Sequence, residues 1–273
     1  MIRATDSHHG ALARALSRTP HRTMFLAGNL AEHGVEGTGH SRATTYWIDD
    51  AITPGIVLGL TEYGMVLIEA PDDADLTEAA ACLRGRALRG VSGPAGPAGA
   101  LMRVADLEEA PTAMKEDEPQ FLLDLADLQI PDGPGVLGAP DRDVAAAWRL
   151  AYERELGMGG DDPEEAAQQV DDWMAQDRYR MLHGTAGPLA LTGFNAALPE
   201  IVQIGGVYTP PALRGRRLAG RAVALHLAEA RARGVTRATL FAASKAAMRA
   251  YRPLGFRPVG AYSLILFDAE VTA

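Results

Sequence analysis

"VYTPPALRGRRLAG", Val207 to Gly220, decides how this chain is read. Two prolines end an apolar, strand-like run, a turn of Arg and Gly follows, and an Ala/Leu-rich helix begins. A helix N-terminus carries a partial positive charge and four unpaired N–H groups, so Asp and Glu are the favoured side chains there. Here the positions hold Arg214, Arg216, Arg217 and Arg221. One reading is that Arg is a good helix former and these side chains face water. The other is that an anion sits at the turn, held by the arginines and the backbone N–H groups together. Their placement at the N-terminal end, after Gly215, favours the anion. For Arg231 and Arg233 the bland reading is preferred, since Glu229 and Arg233 form an ordinary i,i+4 pair.

The chain as a whole is acidic, with a net charge of -9. Nucleic-acid binding relies on widespread phosphate neutralisation, so the balance argues against such a partner and makes the arginine cluster local. A small polyanionic ligand suits it better than a polymer. The 47% hydrophobic and 22% charged fractions are those of a soluble globular chain. No apolar run approaches the roughly 20 residues needed to span a bilayer, and the N-terminus lacks the apolar core of an export signal. Cys82 is the single cysteine, which excludes an internal disulfide and fits a reducing, cytoplasmic setting. No histidine spacing suits a metal, so none is expected.

Working outward, "PDGPGVLGAPD" is the best linker, because its Pro and Gly content suits neither regular element. It divides the chain into domains at 1–130 and 136–273. Before it come two helices, a meander of short β-rich runs, a helix, a strand, a helix and a strand. After it come two helices with acidic starts, three strands, the arginine-rich helix from about Arg216 to Arg233, a strand, a short helix and a last strand pair. The similar order hints at duplication.

Gly205-Gly206 within the strand marks a bulge or a close backbone approach, and Pro210-Pro211 must take the strand off its neighbour. A V-shaped gap with unpaired N–H and C=O groups then opens, in which an extended ligand carrying amides can lie as a pseudo-strand. A diphosphate at its far end would meet the helix N-terminus beside Gly215. Pantetheine on a diphosphate, coenzyme A, has that shape.

Residues 141–268 resemble the GNAT superfamily of acyl-CoA-dependent N-acyltransferases. The family's Arg/Gln-x-x-Gly-x-Gly/Ala turn is similar to Arg214-Gly215-Arg216-Arg217-Leu218-Ala219, with Arg217 in place of the central glycine. Its second motif of Asn, Ala, Tyr and Leu-Gly-Phe is similar to Ser244, Ala247, Tyr251 and Leu254-Gly255-Phe256, with Ser in place of Asn. The N-terminal half resembles the degenerate half of two-domain members. The resemblance implies an α/β (α+β) fold, a mixed, mostly antiparallel sheet flanked by helices and duplicated along the chain.

It also implies an N-acetyltransferase moving an acetyl group from acetyl-CoA to a primary amine on a small molecule or peptide, by direct attack. The expected coenzyme-binding residues are Val207, Tyr208, Thr209, Arg214, Gly215, Arg216, Arg217, Leu218, Ala219, Gly220, Ser244 and Tyr251. Backbone N–H groups of Val207 to Thr209 would stabilise the oxyanion. Tyr251 is the expected acid: a phenol of pKa ~10 can protonate a leaving thiolate of pKa ~8.5. Glu200, at the start of the splayed strand, is the carboxylate chosen to relay the amine's proton, with Glu153, Glu155 or water as alternatives. The molecule is expected to be a monomer or homodimer without membrane or nucleic-acid partners. The rival readings are a non-catalytic coenzyme A sensor and an aminoacyl transferase using charged RNA.

Overall fold

Residues 1–156, 162–242 and 245–273 are described by a computed structural model of the chain. Its first half contains β1 (Ile2–Arg3), α1 (His9–Leu16), α2 (Met24–His33), β2 (Thr44–Ile48), β3 (Val57–Thr61), β4 (Met65–Glu69), α3 (Thr77–Leu83), β5 (Ala87–Pro94), α4 (Ala95–Val104) and β6 (Thr112–Asp124). The second half contains β7 (Val136–Gly138), α5 (Arg142–Leu156), α6 (Pro163–Ala175), β8 (Tyr179–Gly184), β9 (Gly187–Ala197), β10 (Ile201–Tyr208), α7 (Leu218–Ala232), β11 (Arg237–Phe241), α8 (Lys245–Tyr251) and β12 (Arg257–Thr272). The two series have the same order.

They also pair alike. β1 to β4 form an antiparallel run and β4 then pairs parallel with β5. In the same way β7 to β10 are antiparallel and β10 pairs parallel with β11. Local chemistry sets the boundaries. Asp49 Oδ1 accepts the Gly55 and Ile56 N–H groups at 2.9 Å each, which closes the β2–β3 connection. Asp162 caps α6 by accepting from the Glu164 N–H at 2.8 Å, with Pro163 at the first helical position. Gly234, at φ 100°, follows the C-terminus of α7.

The chain divides into two compact units, 1–120 with 259–273, and 121–258. The first unit buries Trp47, Leu58, Ile68, Leu83, Leu101 and Ile265 in one cluster and Leu12, Leu30, Tyr46 and Val57 in another. The second packs α7 against its strands through Val223, Leu227, Phe194, Val202 and Leu240. The expected division at 1–130 and 136–273 differs from this at both ends. Each series lends its last strand to the other unit: β6 enters the second at Phe121, and β12 enters the first at Val259, where it pairs antiparallel with β5.

Two further expectations are corrected. The Pro/Gly linker holds β7, whose Val136, Leu137 and Gly138 pair with His183, Leu182 and Met181. The prolines flank these residues, so none blocks the ladder. The final strand pair is one 16-residue strand, β12, which runs through Gly260.

Candidate functional site

β10 pairs with β11 only at Ile201–Arg237, Val202–Ala238 and Gln203–Thr239. It then runs on to Tyr208 while β11 runs on to Phe241, so the strands part after Gln203, ahead of Gly205-Gly206 and of Pro210-Pro211, where the sequence places the departure. On its other edge β10 remains on β9, but the register shifts between Gly205 and Tyr208. Gly206 has φ +59°, and a Cβ there would lie 2.5 Å from the Tyr179 hydroxyl. A Cβ on Gly205 would overlap the Asn195 side chain. Tyr179 is itself buried, with its ring stacked on Trp173 at 4.0 Å between centroids. The bulge is therefore seated on an aromatic pair.

Past Thr209 the chain turns through Pro211–Leu213 and reaches α7. Gly215 has φ +78°, and Arg217, the residue before the helix, is also left-handed at φ 59°, ψ 18°. That explains the glycine the family motif prefers at this position. The first turn of α7 has neither an acidic residue nor a side-chain cap. Leu218 is buried against Leu182, Ala190 and Ala222, and Gly220 approaches the Ala250 carbonyl so closely that a Cβ would stand 3.1 Å from it. These two expected coenzyme residues therefore offer a ligand only their backbone, as does Tyr208, whose side chain is buried. Val207, Thr209 and Ala219 are partly exposed.

The arginines separate into three kinds. Arg216 and Arg217 are exposed, and their side chains make no ion pair or hydrogen bond among the described residues. Arg214 binds Glu155, with Nη2 at 2.8 and 2.6 Å from the two carboxylate oxygens, and donates from Nε to the Thr209 carbonyl at 2.9 Å. Arg221 donates to the carbonyls of Pro131 at 2.6 Å and Pro134 at 3.1 Å, so it clamps the linker and is not an anion ligand. At the far end of α7, Arg231 donates to the Leu125 carbonyl, and Glu229 pairs with Arg180 rather than with Arg233. The duplicated position in the first unit has the opposite charge: the turn from β4 to α3 has Asp72, Asp73 and Asp75. "VSGPAGPAGAL", by contrast, forms the later β5–α4 connection.

Tyr251 ends α8, 8% exposed, in the cluster that includes Ile204, Leu240 and Ala242 beside the separating strands. Its ring meets Phe256 edge-on at 6.2 Å. Burial, and then the neighbouring Tyr152, holds its phenol above the ordinary value, so it stays protonated. Ser244 lies outside the described residues. Glu200 is not brought to this place. It precedes β10 at the end where β10 and β11 are paired, and its carboxylate binds Arg237 at 3.2 Å. At about 3.3 Å per strand residue, it stands on the order of 20 Å from the Gly206 bulge. Glu153 is buried and paired with Arg149. The relay assignment to Glu200 therefore fails on geometry.

Sequence reading missed the aromatic assembly beside the bulge. Trp148 and Tyr152, both on α5, pack against Tyr208 at 5.9 and 6.4 Å. Their i,i+4 spacing on a helix was a usable signal; Tyr179 under Gly206 left none. Among the described residues no cluster of His, Cys, Asp and Glu has metal-binding geometry, and no helix is long and apolar enough to cross a membrane.

Residues 142–256, which contain the bulge, the turn and Tyr251, match the model of the acetyltransferase (GNAT) family. The chain carries a GNAT domain. Solved structures share the fold over nearly its whole length. A Drosophila protein superposes with a TM-score of 0.70 at 14% identity, over 97% of each chain. A GCN5-related N-acetyltransferase from Kribbella flavida gives 0.56 at 16%, over 94% of this chain and 96% of that one. A tandem GNAT protein from the clavulanic acid biosynthesis pathway gives 0.53 at 14%, over 95% and 94%. No curated protein matches the chain by sequence. The GNAT family model falls on the half whose turn is basic, and the half with the acidic turn lies outside it.

Proposed function

We propose that the GNAT domain transfers an acetyl group from acetyl-CoA to a primary amine by direct attack. The observation that carries this reading is the parting of β10 from β11 after Gln203, which leads through a bulge into a helix N-terminus flanked by unpaired arginines. A pantetheine arm needs the unpaired strand edge for its amides, and a diphosphate needs the N–H groups of residues 218–220 with Arg216 and Arg217. Asp72, Asp73 and Asp75 at the duplicated turn repel such a group, so the second unit alone takes the coenzyme.

The amine nitrogen attacks the thioester carbonyl carbon, and N–H groups of Val207 to Thr209 receive the negative charge that develops on oxygen. As the carbon–sulfur bond breaks, the Tyr251 phenol gives its proton to the departing thiolate. Water takes the proton released by the amine, since Glu200 and Glu153 are both occupied by arginines. The acceptor is a small-molecule or peptide amine. Incubation with acetyl-CoA and a panel of amines, following free thiol, tests the reading. Amine-dependent thiol release supports it; coenzyme binding without release with any amine would favour a sensor.

A further inference from the structure

Glu155 holds Arg214, which the sequence assigns to the coenzyme beside Arg216 and Arg217. It lies near the C-terminal end of α5, far in sequence from the phosphate turn, yet both of its oxygens are bound there. Arg214 Nη2 lies 2.8 Å from Oε1 and 2.6 Å from Oε2, and the Tyr208 hydroxyl donates to Oε1 at 3.0 Å. The same guanidinium is fixed by the Thr209 carbonyl and lies 5.7 Å from the Tyr208 ring. The hydrogen bond from Arg214, and then that from Tyr208, holds the Glu155 carboxyl below the ordinary carboxylate range. Arg216 and Arg217, two and three residues on, have no such partner among the described residues.

A carboxylate and one edge of a phosphate present the same planar pair of acceptor oxygens to a guanidinium. We propose that Glu155 is an internal competitor for the coenzyme's diphosphate: it binds Arg214 and Tyr208 and must yield Arg214 when the diphosphate arrives. This rests on the functional reading above. The arrangement lowers affinity for the coenzyme and ties its arrival to release of the end of α5. Tyr152 and Trp148 of that helix pack on Tyr208, so coenzyme binding is felt by the aromatic groups beside the bulge.

A purely structural ion pair makes the opposite prediction. If Glu155 only orients Arg214 for the ligand, its loss disorders the arginine and weakens coenzyme binding. If it competes, its loss strengthens binding. The sign decides.

The experiment is a calorimetric titration of coenzyme A, and of pantetheine without phosphates, into the wild type, Glu155→Gln and Glu155→Ala. The Glu155 side chain is 40% exposed, so a fold check by thermal melting accompanies each variant, and either folded one suffices. Competition predicts coenzyme A binding about two- to fivefold tighter in the variants, the range expected for a half-exposed pair, with pantetheine unchanged. Equal or weaker binding of coenzyme A by a folded variant overturns the competition while leaving the functional reading intact. If no protein binds coenzyme A better than pantetheine, the functional reading fails and the competition fails with it.

Discussion

The imidazole of His226 lies flat on the ring of Phe194, with centroids 3.8 Å apart and planes 17° from parallel. His226 is fully buried on α7, and neither ring nitrogen has a hydrogen-bond partner among the described residues. Burial, reinforced by Arg180 and Arg233 and opposed by Asp177, lowers its pKa to about 3. The unfolded chain keeps a value near 6.5. Between these values the unfolded state binds a proton that the folded state does not, so stability falls as pH falls. Above about pH 6.5 the group has no effect. Urea unfolding from pH 7 to 4 should show a slope from this group approaching about 1.4 kcal/mol per pH unit. His226→Phe keeps a flat ring on Phe194 and should remove that component. An unchanged pH profile in the variant would show that the acid sensitivity arises elsewhere.

Arg217 should be replaceable by glycine with a gain in stability. A non-glycine residue at φ 59° costs about 1 kcal/mol, while glycine adopts this conformation freely. The expected gain for Arg217→Gly is up to about 1 kcal/mol, offset in part by the greater freedom of glycine in the unfolded chain. Arg217→Val, β-branched and ill-suited to the left-handed region, should destabilise. Denaturant midpoints measure both. Coenzyme A affinity should fall in both variants, because each loses a cation at the turn; a loss of affinity in valine alone would mean that Arg217 serves backbone shape and not charge.

Much of this was legible in the sequence, and the failures have physical causes. Gly205-Gly206 and the arginine turn act through local backbone rules, so the bulge and the turn followed from them, while β10 leaves β11 after Gln203, earlier than Pro210-Pro211 implied. Ala/Leu content alone foretold α7. The placement of Glu200 could not be read that way, because it depends on which end of β10 stays paired, a matter of long-range register with β11. Arg221 looked like an anion ligand from its place at the N-terminal end of α7, yet its carbonyl partners lie 86 to 90 residues away in sequence. The exchange of β6 and β12 between units was hidden for the same reason: strand partners are chosen by tertiary packing, not by neighbouring residues.

Gly206 should tolerate no side chain. Two costs act together there, the positive φ of 59° and the Tyr179 hydroxyl 2.5 Å from the position of a Cβ. Gly39 separates them, since its φ is +80° and nothing stands within 4 Å of its Cβ position. Gly39→Ala should cost about 1 kcal/mol of backbone strain. Gly206→Ala should cost more, on the order of 2–3 kcal/mol, and should displace the bulge. Equal losses in unfolding experiments on the two variants would show that Tyr179 moves aside freely and does not seat the bulge.

Tyr251→Phe tests the proposed acid. The ring lies in a packed cluster and meets Phe256 edge-on, and phenylalanine keeps both relations. Burial keeps the phenol protonated throughout the neutral range, so the proton is present whenever the thiolate leaves. Because the hydroxyl acts only as the carbon–sulfur bond breaks, its loss should slow chemistry and spare coenzyme binding. Positioned general acids contribute about 10²–10⁴-fold, so turnover with a saturating amine should fall by a factor in that range. The coenzyme A dissociation constant should change little, and the melting temperature should hold. If burial in the cluster is the whole role of Tyr251, the pattern reverses: turnover stays near the wild-type rate, and the proton must come to the thiolate from water.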